Sequence, residues 1–394
     1  MFSKRSKCVF YVTTYTDNDV LAHVPKGDLG KGIYVWELDT DKGLLSNTYL
    51  SNTQIDCNPA FLVKNPNKNI LYCSTERIDQ DGEIIEFKIE KDYQLKQNSS
   101  ISSKGKSTCY LTPVISEKDS NECLVSVNYW DSSINVFNLN PDTGYLYQNL
   151  NSSYYTPGSQ YVNDNNPDKY EHWQFRQRWP HTHCFVTEPY QNKYHFVADL
   201  GRDMILCFTI KDNVLKLVNE TKLKQGSGPR HIVFHPNKRL LYVINELDST
   251  VTTLSLNYKL SDIDDTKNKS QTLQEINSIS TLPHNFECRD HHTSHASEIR
   301  IHPDKKFLFI LNRGHDSIAV FKIECNGQLS LLNITPSGGS FPRNFNFDNT
   351  GRFLIVGNQN SNNLTIFRID LDTGVLKKTD QKYQPSPNYV YTLL

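Results

Sequence analysis

Five residue pairs in this chain stand sixteen positions apart: Arg230 with Glu246, Arg343 with Gln359, His183 with Asp199, Ser297 with Arg313, and Ala60 with Glu76. A guanidinium fork suits a carboxylate or a phosphate and can stabilise an oxyanion, while an imidazole or carboxylate beside it can act as a general base. Brought to one place, these residue types would support ester hydrolysis or proton transfer on an anionic substrate. They would equally serve as salt bridges between structural units, so the deciding question is what positions them.

The pairs bracket copies of one phrase. In 229–246, Pro-Arg-His-Ile-Val-Phe-His-Pro-Asn-Lys-Arg-Leu-Leu-Tyr-Val-Ile-Asn-Glu, an apolar run meets a Pro/Asn turn and a second apolar run returns. Segments 342–359, 296–313, 59–76 and 182–199 follow the same pattern, and a degenerate sixth copy is read from 113 to 129. Each predicts two antiparallel strands around a tight turn. A third strand follows, as in Ser133-Ile-Asn-Val-Phe137 and Ser317-Ile-Ala-Val-Phe321. A fourth is announced by Asp142-Thr-Gly-Tyr-Leu146 and Asp372-Thr-Gly-Val-Leu376. Four strands recurring about every 50 residues predict propeller blades, whereas a pair of β-sandwiches would repeat no such phrase.

Six copies span 58–378, and the ends supply a seventh blade from 9–14, 32–38 and 44–50 together with 389–393. Closure by both termini leaves no free sheet edge. The expectation is all-β: a seven-bladed β-propeller with four antiparallel strands per blade, as one domain over 1–394. The first strand of each blade would line the central channel. That places Ala60, His183, Arg230, Ser297 and Arg343 on an inner circle at one rim. Glu76, Tyr129, Asp199, Glu246, Arg313 and Gln359 fall beside them.

Composition agrees with this. The 394 residues include 21 Tyr and 19 Phe but only five Ala, and strands favour aromatics where helices favour Ala. The 42 Lys+Arg nearly balance 43 Asp+Glu, leaving no basic field for nucleic acid or an anionic membrane. Mean hydropathy is −0.56, and no run approaches the roughly 20 apolar residues of a spanning helix. The start, Met1-Phe-Ser-Lys-Arg5, lacks the long apolar core of a signal peptide. The nine Cys are scattered without Cys-x-x-Cys spacing, so reduced thiols and a cytoplasmic location are expected.

At its rim residues the chain resembles the lactonase family of seven-bladed propellers, which includes bacterial-type 6-phosphogluconolactonase and fungal carboxymuconate cyclase. The resemblance is carried by Tyr11-Val-Thr-Thr-Tyr-Thr16, Gly32-Ile-Tyr-Val35, Asn58-Pro-Ala-Phe-Leu62 and Val127-Asn-Tyr129. Pro180-His-Thr-His183, Gly228-Pro-Arg-His231, Asn312-Arg-Gly314 and Phe341-Pro-Arg343 continue it in order across nearly the whole chain. Thr13 departs from the usual Gly, and Ser74-Thr-Glu76 from the usual Asn-Glu.

The resemblance implies hydrolysis of a sugar lactone, 6-phosphogluconolactone being the first expectation, without a metal or cofactor. His183 or Glu246 would activate water, Arg230 would stabilise the oxyanion, and Arg313 with Arg343 would hold a phosphate or carboxylate. Arg176 and Arg178, before Pro180, would close over the phosphate. His181, Gln359, Asp199 and Glu76 complete the expected substrate-binding set, although Asp199 and Glu76 also fit a structural role. The expected partner is a small-molecule lactone, and the expected state a monomer or weak homodimer.

Two other classes compete. A cycloisomerase would use the same His, Arg and Glu on a dicarboxylate, and an interaction scaffold would show a neutral rim. No Gly-x-Ser-x-Gly elbow supports a nucleophilic serine. His284, His291, His292 and His295, near Cys288 and Asp290, match no zinc spacing.

Overall fold

The computed structural model describes residues 6–115, 122–159, 176–257, 272–286 and 293–393. These form seven antiparallel sheets. Blades 1 to 6 cover 59–102, 108–155, 182–222, 229–280, 295–336 and 342–383, and each pairs its four strands in chain order. In blade 7 the strand Pro387–Thr392 pairs with Lys7–Thr14, which pairs with Gly32–Asp39, so both termini close the ring. The seven first strands, Pro387–Thr392 among them, each contact the first strands of both neighbouring blades.

Two details depart from the sequence reading. The first strand of blade 2 begins at Thr108 rather than Pro113, because its hairpin is longer: Thr108 pairs with Asn128, twenty residues on, where Pro59 pairs with Thr75, sixteen on. The outer edge of blade 7 is split into Leu44–Leu45 and Ser51–Gln54 in place of one strand.

The second strands are buried along their length, as in Leu240–Asn245 and Phe353–Asn358, while outermost strands such as Leu329–Pro336 are largely open to solvent. Sheets covered on both faces read as continuous apolar runs, and this made the repeat visible in the sequence. The cores lie between blades: Phe309 and Val320 of blade 5 pack with Phe345, Leu354 and Phe367 of blade 6. The Asp-Thr-Gly phrases turn the third strand into the fourth. Gly144 and Gly374 sit there at φ 77° and 72°, a region glycine enters without steric cost.

All seven first strands carry a β-bulge near the same rim. The register breaks at Ala60, Cys109, His183, Arg230, Arg343 and Asn388, with a wider break at Ser297–Glu298. A bulge leaves one residue unpaired and re-aims its side chain. Two residues earlier, five blades place a left-handed residue: Asn58, Ser107, Gly228, Phe341 or Ser386. In four of them a proline then starts the strand, where no N–H is needed.

Candidate active site at the channel mouth

Four of the six outer-circle residues, Tyr129, Glu246, Arg313 and Gln359, are each held by the asparagine that precedes them. Asn128, Asn245, Asn312 and Asn358 donate from Nδ2 to hydroxyls of Ser133, Thr250, Ser317 and Thr365 on the adjacent strand, at 2.9, 2.8, 3.2 and 3.1 Å. These bonds fix the strand ends that carry Tyr129, Glu246, Arg313 and Gln359. The inner circle is held by the bulges. Ahead of Arg230, the N–H groups of Gly226 and Gly228 donate to the Asp203 carboxylate at 2.8 and 2.7 Å. A Cβ on Gly228 would meet Leu247, so the tight approach to Arg230 requires glycine.

A cavity of about 70 Å³ lies at this mouth. It is bounded by His183, Arg230, Glu246, Arg313, Arg343, Arg176 and Glu76, together with Tyr129, His23 and Cys109. Glu246 is its hub: Arg176 Nη2 lies 2.6 Å from Oε1, while Arg230 Nε and Arg313 Nη2 lie 3.0 and 2.8 Å from Oε2. Arg176 also donates to the Tyr129 hydroxyl at 3.0 Å. On the opposite side, Arg343 Nη2 stands 3.6 Å from Glu76 Oε2, which accepts the Tyr15 hydroxyl at 2.9 Å. Four guanidiniums against two carboxylates leave the cavity formally positive by two charges.

Burial alone would raise Glu246, but Arg313, Arg176 and Arg230 hold its carboxyl well below the usual range. Burial among other guanidiniums brings Arg313 down to about 10. Burial, then Arg230 and His231, keeps the His183 imidazole neutral far below its ordinary value, and its Nδ1 has no hydrogen-bond partner. Burial pushes the Cys109 thiol well up, which disqualifies it as a nucleophile. The arrangement offers donors for an anion and for a developing oxyanion, beside a neutral base.

Four expected residues are not brought to the cavity. His181 stacks on Tyr129, ring centroids 4.4 Å apart, and its Nδ1 faces the Tyr129 carbonyl at 3.0 Å. The Arg178 guanidinium lies over the Trp179 ring. Asp199 Oδ1 accepts the backbone N–H groups of His181, Gly201 and Arg202, a local capping role. Gln359 Nε2 donates to Asn360 Oδ1 at 3.3 Å. His183, not His181, lines the cavity, the choice that the sixteen-residue spacing favoured. Cys288, Asp290, His291 and His292 lie outside the described residues.

Sequence reasoning missed His23, Tyr15 and Cys109. The first two sit in the connection after the Lys7–Thr14 strand, outside the repeated phrase. Cys109 is twenty residues before Tyr129, so the spacing rule passed over it.

Comparison with known proteins accords with this fold. The sequence matches the family described as "Lactonase, 7-bladed beta-propeller" over residues 9–392. A Bacillus subtilis protein named 6-phosphogluconolactonase is 32% identical over 373 residues, 94% of each chain. A putative 6-phosphogluconolactonase from Bacteroides fragilis superposes with a TM-score of 0.76 at 26% identity, covering 99% of both chains. A Lactobacillus plantarum protein gives a TM-score of 0.78 at 26% identity, with coverage of 98% of this chain and 100% of that one. The chain therefore belongs to the seven-bladed β-propeller lactonase family.

Proposed function

We propose that the protein hydrolyses 6-phospho-D-glucono-1,5-lactone to 6-phosphogluconate, in the cytoplasm, using protein side chains alone to move protons. The reading rests on the membership of the lactonase family and on one observation above all: four arginines converge on a mouth that also holds a neutral His183 with an open Nδ1. Arg313 and Arg343, with Arg176 closing from the side, bind the phosphate. His183 takes a proton from water as the water oxygen attacks the lactone carbonyl carbon. Arg230 stabilises the resulting oxyanion. The ring C–O bond then breaks, and the departing ring oxygen recovers the proton from the imidazolium. Glu246, ionised and ion-paired to three arginines, orients them and is not the base.

The test is lactone hydrolysis followed as acid release above the spontaneous rate, with Arg230→Ala and His183→Ala alongside. Loss of about 10²-fold or more in each variant is expected. Unchanged activity in both overturns the site. Turnover of a muconate-type dicarboxylate but of no sugar lactone overturns the hydrolase.

A further inference from the structure

His23 lies on a strap, residues 15–31, that crosses the channel mouth between blades 1 and 6. On the blade 1 side, Asn58 Oδ1 accepts the N–H groups of Thr16 and Asp17, both at 2.8 Å, and Val20 accepts the Ile78 N–H at 2.9 Å. On the blade 6 side, the N–H groups of Lys26 and Asp28 donate to the side chains of Asn360 and Asn362 at 3.1 and 2.8 Å. Between these anchors Val24 points outward, 86% exposed, while the His23 ring turns inward and meets Tyr15 edge-on at 5.3 Å.

The inward nitrogen is the informative atom. His23 Nε2 is shielded from solvent and has no hydrogen-bond partner. A buried polar atom left open costs free energy that a ligand recovers by meeting it. The charged and polar groups around it are Tyr15, in ring contact, and Arg343, Arg313, Arg176 and Glu246, with Glu76, Arg230, His183 and Tyr129 completing the cavity wall. None of them stands within hydrogen-bond geometry of it, either as donor or as acceptor. Burial first, then Arg343, Arg313 and Arg176, hold the imidazole neutral. In a neutral ring this nitrogen either donates or accepts, depending on the tautomer. A hydroxyl meets both cases, because it does both. A carboxylate meets only one, and a carbon–carbon double bond meets neither.

Building on the lactonase reading, we propose that His23 determines specificity by hydrogen-bonding a ring hydroxyl of the substrate, so that the site selects a polyhydroxylated anionic lactone over an unsaturated dicarboxylate. The four arginines recognise the anion, and His23 reads the sugar ring beside it.

The test compares wild type with His23→Phe, which keeps the ring contact to Tyr15 and removes the nitrogen, on 6-phosphogluconolactone and its single-deoxy analogues. On the parent lactone His23→Phe is expected to lower kcat/KM about 10- to 100-fold, and on one deoxy analogue by less than about twofold. His23→Gln, which restores a polar end, is expected to recover most of the loss on the parent and to gain nothing on that analogue. An equal loss on every analogue, or no loss on the parent, overturns the proposal while leaving the lactonase reading intact. Absence of hydrolysis of any of these lactones by wild type overturns the lactonase reading, and this proposal with it. Should His23→Phe fail to fold, as judged by its thermal melt, the same comparison with His23→Gln and His23→Ala decides the matter.

Discussion

Arg176 Nη2 lies 2.6 Å from Glu246 Oε1, although 70 residues separate the two in the chain. Arg176 belongs to the connection entering blade 3, and Glu246 ends the second strand of blade 4. Through the same carboxylate, Arg230 and Arg313 are tied to them. Glu246→Gln would leave two buried guanidiniums, Arg230 and Arg313, and the half-buried Arg176 facing one another. The expected outcome is a loss of about 3 kcal/mol in urea unfolding and at least a tenfold rise in KM for an anionic lactone. Wild-type stability and KM in this variant would mean that the carboxylate organises nothing.

Acid should destabilise the fold well above the range where carboxylates titrate. Burial, the leading cause in each case, holds His181 at about 3 and His195 and His231 at about 4. In the unfolded chain each takes up its proton near pH 6.5. Between about pH 6.5 and 4 the unfolded state thus binds more protons, and stability falls as pH falls, by up to about 1.4 kcal/mol per pH unit for each histidine. The full contribution is present above pH 6.5. His195 stacks on Phe185 far from the cavity, so His195→Phe should flatten the dependence of Tm on pH between 7 and 5 and leave activity alone. An unchanged slope would contradict the assignment.

Asn58 holds the root of the strap and occupies the left-handed region at φ 48°. Its Oδ1 accepts two backbone N–H groups, and its Nδ2 donates to the Asp17 carbonyl at 2.7 Å. Asn58→Gly keeps the backbone free to adopt this shape but removes the bonds, for an expected loss of about 2 kcal/mol. Asn58→Ala adds backbone strain of about 1 kcal/mol. Denaturation midpoints should therefore fall in the order wild type, Gly, Ala; equal losses would show that strain is absent.

Asp199→Asn separates a capping role from a chemical one. The carboxylate caps three backbone N–H groups away from the cavity, so kcat/KM should stay within about threefold while stability drops by about 1 kcal/mol. A hundredfold loss of activity with unchanged stability would put Asp199 in the reaction.

The ring, its blade count and its closure were all legible because strands buried on both faces write long apolar runs at regular intervals. The sixteen-residue spacing also placed Arg230, Glu246, Arg313 and Arg343 correctly, since a hairpin of constant length returns to the same edge. For Asp199 it left a structural role open, and the structure shows that role; for Gln359 the position on the rim was right, but the side chain bonds Asn360 instead of lining the cavity. Direction depends on local hydrogen bonds, such as those from His181, Gly201 and Arg202 to Asp199, and these leave no periodic trace. The bulges at His183 and Arg230 are equally silent, because one unpaired residue alters no apolar pattern. His23 was out of reach for another reason: the strap occurs once, and only what recurs leaves a periodic trace.

The strand Pro387–Thr392 has a consequence for the order in which this enzyme comes into being. It is the innermost strand of blade 7, and its partner Lys7–Thr14 is made first. At typical elongation rates roughly 20 to 75 seconds separate the synthesis of the two. Throughout that interval the N-terminal strand carries an open edge, and the blades already made have no ring to stand in. The ring that brings Arg176, Arg230, Arg313, Arg343 and His23 to a common centre is closed by that strand. A nascent polypeptide released before residue 387 would carry every proposed site residue without the strand that closes their ring.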